Sequence, residues 1–321
     1  MKSKIVLISP AAVDANNGNW HTAHRWAKFL SEYCDIAILQ NWNGADSDSV
    51  AMIALHARRS ASSIHAWAAR HPGKPLIVVL TGTDLYRDIQ TDSDAKESLH
   101  LATHLVVLQE AGLTALPEDL RAKTSVIYQS APRLKPAVKA TQRFKAVMVG
   151  HLRDEKNPLT FMNAAQLCTE SGFGFDQIGD GLDAALASAA QTTAAQNPHY
   201  RWLGGLPRAA TRQRIKRAHV LVNCSVMEGG AHVILEAVQS GTPVLASRIS
   251  GNLGMLGANY AGYFDVGDAH ALAALVKRCA TEPDFLAYLQ SQCALRAELF
   301  EPALEKRLVL KLVASAMKES P

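Results

Sequence analysis

The stretch NCSVMEGGAHVILEAVQSGTPVLAS, Asn223 to Ser247, holds two carboxylates, Glu228 and Glu236, with seven residues between them. Gly229 and Gly230 follow the first. HVLVNCS before it reads as a buried strand, and Val233, Ile234, Ala237 and Val238 form a helical apolar stripe. A loop leaving the carboxyl end of a parallel strand is where open α/β sheets bind ligands. The helix start adds unpaired N–H groups and about half a positive charge. Glycines there let a phosphate approach the backbone closely. Glu228 can accept hydrogen bonds from a polyhydroxylated group beside that phosphate. Glu236, about 8 Å along the helix, can grip a vicinal diol such as a ribose. The plainer alternative makes Glu228 a loop charge and Glu236 a solvated helix position. Spacing alone leaves both open, although a carboxylate beside an apolar stripe is seldom buried without a partner.

The elements that must position these groups alternate along the chain. Short apolar runs such as KIVLIS (Lys4–Ser9), VAMIALHA (Val50–Ala57), PLIVVLTG (Pro75–Gly82) and AVMVGHL (Ala146–Leu152) read as strands separated by helical patterns. FGFDQIGDG (Phe173–Gly181) reads as a strand ending in a glycine turn. This alternation predicts α/β architecture with doubly wound parallel sheets. Ser60 is placed to N-cap a helix reaching Arg70. The proline-bearing, basic SAPRLKPAVKATQRFK (Ser130–Lys145) reads as a linker. Domains of residues 1–140 and 141–299 are therefore expected.

The bulk numbers exclude several classes. The chain has 321 residues, 48% of them hydrophobic, and a net charge of +4. That suits two folded domains and small anionic ligands, and is too weak a charge to indicate nucleic acid. Five cysteines, an odd number without a CxxC, indicate neither a disulfide framework nor a zinc site. The N-terminal segment lacks a secretory pattern, and no apolar run is long enough for a membrane span. A cytoplasmic protein without membrane or nucleic-acid partners is expected. RAATRQRIKR (Arg208–Arg217) reads as a solvated helix face, and Trp20, Trp26 and Trp67 as core.

The E-x7-E spacing followed by SGTPVLAS resembles the signature of the family 4, GT-B-fold nucleotide-sugar glycosyltransferases. VGHLRDEKNP (Val149–Pro158) resembles that family's GRL-x-x-EKG loop, IGDG (Ile178–Gly181) its GxG turn, and WLGGLPR (Trp202–Arg208) its nucleobase segment. The resemblance implies two Rossmann-like domains facing a central cleft, with the last helix, about residues 300–321, crossing back onto the first. It implies that Glu228 contacts the donor sugar and Glu236 the ribose. Gly229, Gly230, Ala231 and His232 would line the diphosphate or sugar, and Gly179, Gly205 and Leu206 the nucleotide. Lys156 would neutralise the leaving diphosphate. His151 stands where the family usually has arginine, and Arg153 is the nearby guanidinium available to compensate. No metal or other cofactor is implied.

The first half carries NNGNWHTAHRWAKFL (Asn16–Leu30), LHARRSASSI (Leu55–Ile64) and LTGTDLYRDI (Leu80–Ile89). The first places a glycine turn before a helix, and His21, Thr22 and Arg25 fall near one face of it. Thr81 stands where many relatives have histidine. With GHLRDEKNP and ISGNLGMLGANYAGYFDVGD (Ile249–Asp268), these segments resemble one branch more closely, the selenosugar synthases of selenoneine biosynthesis. That resemblance implies a UDP-sugar donor, UDP-N-acetylglucosamine above all, and selenophosphate as acceptor. Gly18, Asn19, His21, Thr22, Arg25, His56, Arg59, Thr81 and Asp84 would form the acceptor site. Phosphate-like dianions favour Arg and His donors. An ordinary transferase using a hydroxyl or thiol, a nucleotide-sugar 2-epimerase and a non-catalytic nucleotide-sugar sensor remain alternatives.

Overall fold

The strands expected from the apolar runs form two separate parallel sheets in a computed structural model that describes residues 2–10, 18–44 and 48–318. Asn16 and Asn17 lie outside the described residues. The chain divides into two units, residues 1–129 with 302–321, and residues 130–301.

In the first unit β1 (Ser3–Ile8), β2 (Cys34–Leu39), β3 (Ser49–Leu55), β4 (Leu76–Leu80), β5 (His104–Val107) and β6 (Thr124–Val126) pair in the order β2-β1-β3-β4-β5-β6. All five pairings are parallel. Strands of a parallel sheet are buried on both faces, which is why they read as unbroken apolar runs. Alternate residues serve opposite faces. Val6, Ile8, Met52 and Val78 pack with Trp42 and Trp67, whereas Ile5, Leu7, Ile53 and Val79 pack with Trp26. The C-terminal helix Pro302–Lys318 covers the Trp26 face through Val309, Leu312, Val313 and Ala316.

A buried carboxylate fixes that helix. Glu305 is fully buried and accepts hydrogen bonds from Arg25 Nε (2.7 Å), Arg25 Nη2 (2.9 Å) and Trp26 Nε1 (2.8 Å). Arg25 is thereby committed to packing, which corrects its assignment to an acceptor site.

In the second unit β7 (Phe144–Val149), β8 (Phe173–Ile178), β9 (Tyr200–Trp202), β10 (Val220–Asn223), β11 (Val244–Ser247) and β12 (Tyr263–Phe264) run in the order β12-β11-β10-β7-β8-β9. This is the Rossmann order, with its reversal between β7 and β10, which pair in parallel from Val220 opposite Ala146 to Val222 opposite Met148. The two-residue β12 carries no long apolar run and was not expected.

The boundary falls after Gln129 rather than at 140, because the segment read as a linker packs on the second unit. Leu134 N–H donates to Gln239 O at 2.8 Å. Lys139 Nζ donates to Lys216 O, Ala218 O and Thr242 Oγ1, capping the end of the helix Arg208–Arg217. Ser60 precedes its helix but makes no side-chain cap; its hydroxyl donates to Leu55 O at 2.7 Å.

Removing one partner of a buried charge pair typically costs about 3–5 kcal/mol, because the other is left unpaired. Glu305→Ala is expected to lower unfolding stability by about that amount in urea titrations. A loss below about 1 kcal/mol would place Glu305 among ordinary surface pairs.

Candidate active site

The loop after β7 and the loop after β10 leave adjacent strands where the order reverses, and each delivers one charge. Asp154–Lys156 forms a 3-10 turn, and Asn157 then adopts a left-handed conformation (φ 47°) before the helix Pro158–Leu167. Proline at the first helical position disfavours the right-handed helical conformation for the residue before it, and asparagine tolerates the left-handed alternative. This break aims Lys156 across the strand ends. Its Nζ lies 2.5 Å from Glu228 Oε1.

Glu228 sits in the irregular loop that precedes the helix His232–Val238. The helix begins later than expected, so Gly229 and Gly230 belong to the loop and Ala231 is the N-cap. Glu228 Oε1 also accepts hydrogen bonds from Ser225 Oγ (2.7 Å) and Asn223 Nδ2 (3.4 Å). Three donors thus crowd one oxygen, while Oε2 has no partner among the described residues. Burial pushes this carboxyl up, but the Lys156 charge and the three hydrogen bonds outweigh burial and hold it below its ordinary value.

Glu236 is not a solvated position, being 3% exposed. Its Oε1 lies 3.1 Å from Arg208 Nε, 3.6 Å from His232 Nε2 and 3.8 Å from Arg212 Nε. The solvated-face reading of Arg208–Arg217 is corrected accordingly. Arg208 and Arg212 lie one turn apart on the face turned to Glu236, and Arg214 lies 3.8 Å from Asp176. That i, i+4 spacing was the available signal, but it names no partner. Arg208 Nη2 also approaches His232 Nε2 at 3.0 Å.

The glycine turn after β8 is a close contact between loops. Gly179 has φ 146°, and a Cβ there would lie 2.0 Å from Gly150 O. The loops after β7 and β8 join through Gly150 N–H to Ile178 O and Leu152 N–H to Asp180 O, both 2.8 Å. His151 Nδ1 accepts the Asp180 amide hydrogen at 3.1 Å, turning the ring onto that loop. Arg153 is half-exposed, with its nearest carboxylate, Glu155, at 3.9 Å. A Cβ at Gly205 would meet Asp180 Oδ1 at 2.1 Å. Leu206 is half-buried two residues before Arg208.

The first unit gathers only part of its expected set. His56, at the end of β3, is buried with φ 72°. Its Nδ1 accepts the Arg59 amide hydrogen at 3.3 Å, which leaves Nε2 to donate to Thr83 Oγ1 at 3.0 Å. Asp84 is consumed structurally: Oδ1 accepts the amides of Thr81 and Gly82, and Oδ2 that of Ala57. It ties the loops after β3 and β4 together, and its place in an acceptor site is corrected. Thr22 is buried, its hydroxyl donating to Gly18 O and accepting from Gln129 Nε2. Gly18 is the first residue of the helix Gly18–Leu30 rather than a turn before it. Asn19, His21 and Thr81 are half-buried, and Arg59 is exposed.

The model for "Glycosyl transferases group 1" matches residues 132–294, just over half of the chain. The chain belongs to the group 1 glycosyl transferases. Its fold is like that of the sucrose-phosphate synthase of Thermosynechococcus elongatus, with a TM-score of 0.80 at 16% identity over 99% of this chain and 100% of the other. Anabaena HepE, solved with UDP and glucose, gives 0.77 at 15% identity over 98% and 100%. The pneumococcal O-GlcNAc transferase GtfA, solved with UDP and GlcNAc, gives 0.65 at 17% identity over 83% and 57%. No curated protein matches the chain. At these identities the likeness is one of fold, and that fold is GT-B, built from two Rossmann-like domains. Among the described residues no helix is long and apolar enough to cross a membrane, and no His/Cys/Asp/Glu cluster could hold a metal.

The Glu228 carboxyl is lowered on folding, so its pair with Lys156 stabilises this glycosyltransferase fully above the ordinary value of 4.5. That stabilisation is lost as the pH falls through the lowered value. The stability difference between wild type and Lys156→Met should therefore shrink on acidification below about pH 4.5. Urea titrations from about pH 7 down to about pH 2.5 test this, and a difference that stays constant to the acid end would contradict it.

Proposed function

We propose that this protein joins a UDP-sugar, UDP-N-acetylglucosamine in the first instance, to selenophosphate, in the step that forms a selenosugar for selenoneine biosynthesis. The observation that carries the donor half is the Lys156–Glu228 pair at the β7–β10 reversal, with an unpaired Glu228 Oε2 beside it. The family supports a nucleotide-sugar donor. The acceptor half is supported by the resemblance of the N-terminal segments and by Arg59, an exposed cation in the strand-end loop after β3.

In this reading Glu228 Oε2 accepts sugar hydroxyls and Glu236 the ribose diol. The amides of Gly229, Gly230 and Ala231 meet the diphosphate. As the bond from C1 to the diphosphate oxygen breaks, C1 gains oxocarbenium character, and Lys156 and Arg153 stabilise the charge growing on UDP. Selenium of selenophosphate attacks C1. Hydrolysis of the Se–P bond by one water then gives the 1-seleno sugar and phosphate. Selenium is a strong nucleophile, so this acceptor needs no base at Thr81. His56 donates from Nε2 and positions Thr83 rather than accepting a proton there.

Losing one charge-stabilising donor costs about 10²- to 10³-fold in turnover. Incubation with UDP-sugars, with and without selenophosphate, and mass spectrometry of products tests the proposal. A selenosugar formed by wild type, and reduced about 100- to 1000-fold in Lys156→Ala, is expected. UDP release and product only with an alcohol or thiol would overturn the acceptor. Sugar interconversion without acceptor would overturn the transfer itself.

A further inference from the structure

We propose that Asn252 is a positioning residue for the donor sugar, acting on Glu228 through Ser247 and Ser225. The inference rests on reading Glu228 as the sugar-binding carboxylate.

Asn252 is completely buried in the helix Ser250–Leu256, two dozen residues beyond Glu228. Its Nδ2 donates to Ser247 O (2.9 Å), Ser247 Oγ (3.1 Å) and Asn223 Oδ1 (3.3 Å), sharing two hydrogens among three acceptors. Two of these partners can only accept, so the amide has one orientation. Ser247 Oγ spends its own hydrogen on Ser225 O at 2.5 Å. Asn223 Oδ1 accepts the Ser225 amide hydrogen at 3.2 Å. Ser225 is therefore held at its carbonyl and its amide, and its hydroxyl reaches Glu228 Oε1.

Every link in this relay is buried: Asn223, Ser225, Ser247 and Asn252 are all at most 4% exposed. Asn252 donates to Ser247 Oγ, which donates to Ser225 O, while Asn252 and the Ser225 amide both donate to Asn223 Oδ1, so breaking any of these bonds leaves a buried polar group short of a partner. Asn252 Oδ1 has no hydrogen-bond partner among the described residues. An aliphatic side chain would avoid that cost but would lose the three contacts that Nδ2 makes.

The neighbouring Gly251 adds a steric stop. A Cβ at that position would lie 2.0 Å from Glu228 O and 2.9 Å from Glu228 Cβ. The end of this helix therefore sets both the backbone and the carboxylate of Glu228. By tying up Oε1, the relay fixes where Oε2 points, and Oε2 is the oxygen left for a sugar hydroxyl.

Calorimetric titration with UDP and with UDP-N-acetylglucosamine tests this on wild type, Asn252→Ala, Glu228→Gln and the double variant. Asn252→Ala should weaken UDP-N-acetylglucosamine binding about tenfold while changing UDP binding by less than about twofold. The same substitution should add nothing in the Glu228→Gln background. Ser247→Ala removes the middle hydroxyl with a smaller change in volume and must show the same pattern, which guards against misfolding of the first variant. Equal weakening of both ligands would mark Asn252 as general scaffold and overturn the proposal. So would a full, additive loss in the double variant. Wild-type binding that Glu228→Gln leaves unchanged would overturn the reading of Glu228 and, with it, this proposal.

Discussion

The site depends on one ion pair drawn across a reversal of strand order. Lys156 and Glu228 come from loops 72 residues apart, yet β7 and β10 are neighbours, so their ends deliver the two charges to one point. The left-handed Asn157 aims the lysine, and Ser225 and Asn223 aim the glutamate. A lone carboxylate at this depth would shift toward its neutral form. The ammonium and two neutral donors keep it charged and orient it.

The second carboxylate follows the same rule with different partners. Glu236 is buried on a helix and compensated by Arg208, Arg212 and His232. Both glutamates are thus matched by cations of the second unit. On the proposed reading, the donor brings an anion and a set of hydroxyls. Lys156 then turns from Glu228 toward the diphosphate, while Oε1 stays on Ser225 and Oε2 takes a sugar hydroxyl. Charge is exchanged between partners rather than buried anew, which limits the desolvation cost of binding.

Much of the fold was legible because parallel strands are buried on both faces and leave unbroken apolar runs. Runs such as LIVVL have no other simple reading at that length. Ends were less legible: the runs reaching Ala57 and Gly181 continue past the last paired residue into loops that carry His56 and Gly179. The two glutamates and Lys156 were visible through motif order. Their partners were not, because those partners are fixed by topology. Arg25 meets Glu305 across 280 residues, and Arg208 meets Glu236 across 28. Basic and acidic residues in helices look solvated until the opposing element is known, so Arg25 was misread as a ligand contact and Arg208 as surface. Asp84 was misread for a related reason, since its backbone partners leave no trace in side-chain pattern.

A crystal structure of the complex with an intact UDP-sugar tests the central claim most directly. The account predicts Lys156 Nζ within hydrogen-bond reach of the diphosphate, and Glu228 Oε2 on a hydroxyl of the sugar. Glu228 Oε1 would still be held by Ser225. A complex in which Lys156 remains on Glu228 while sugar and diphosphate bind elsewhere would contradict it.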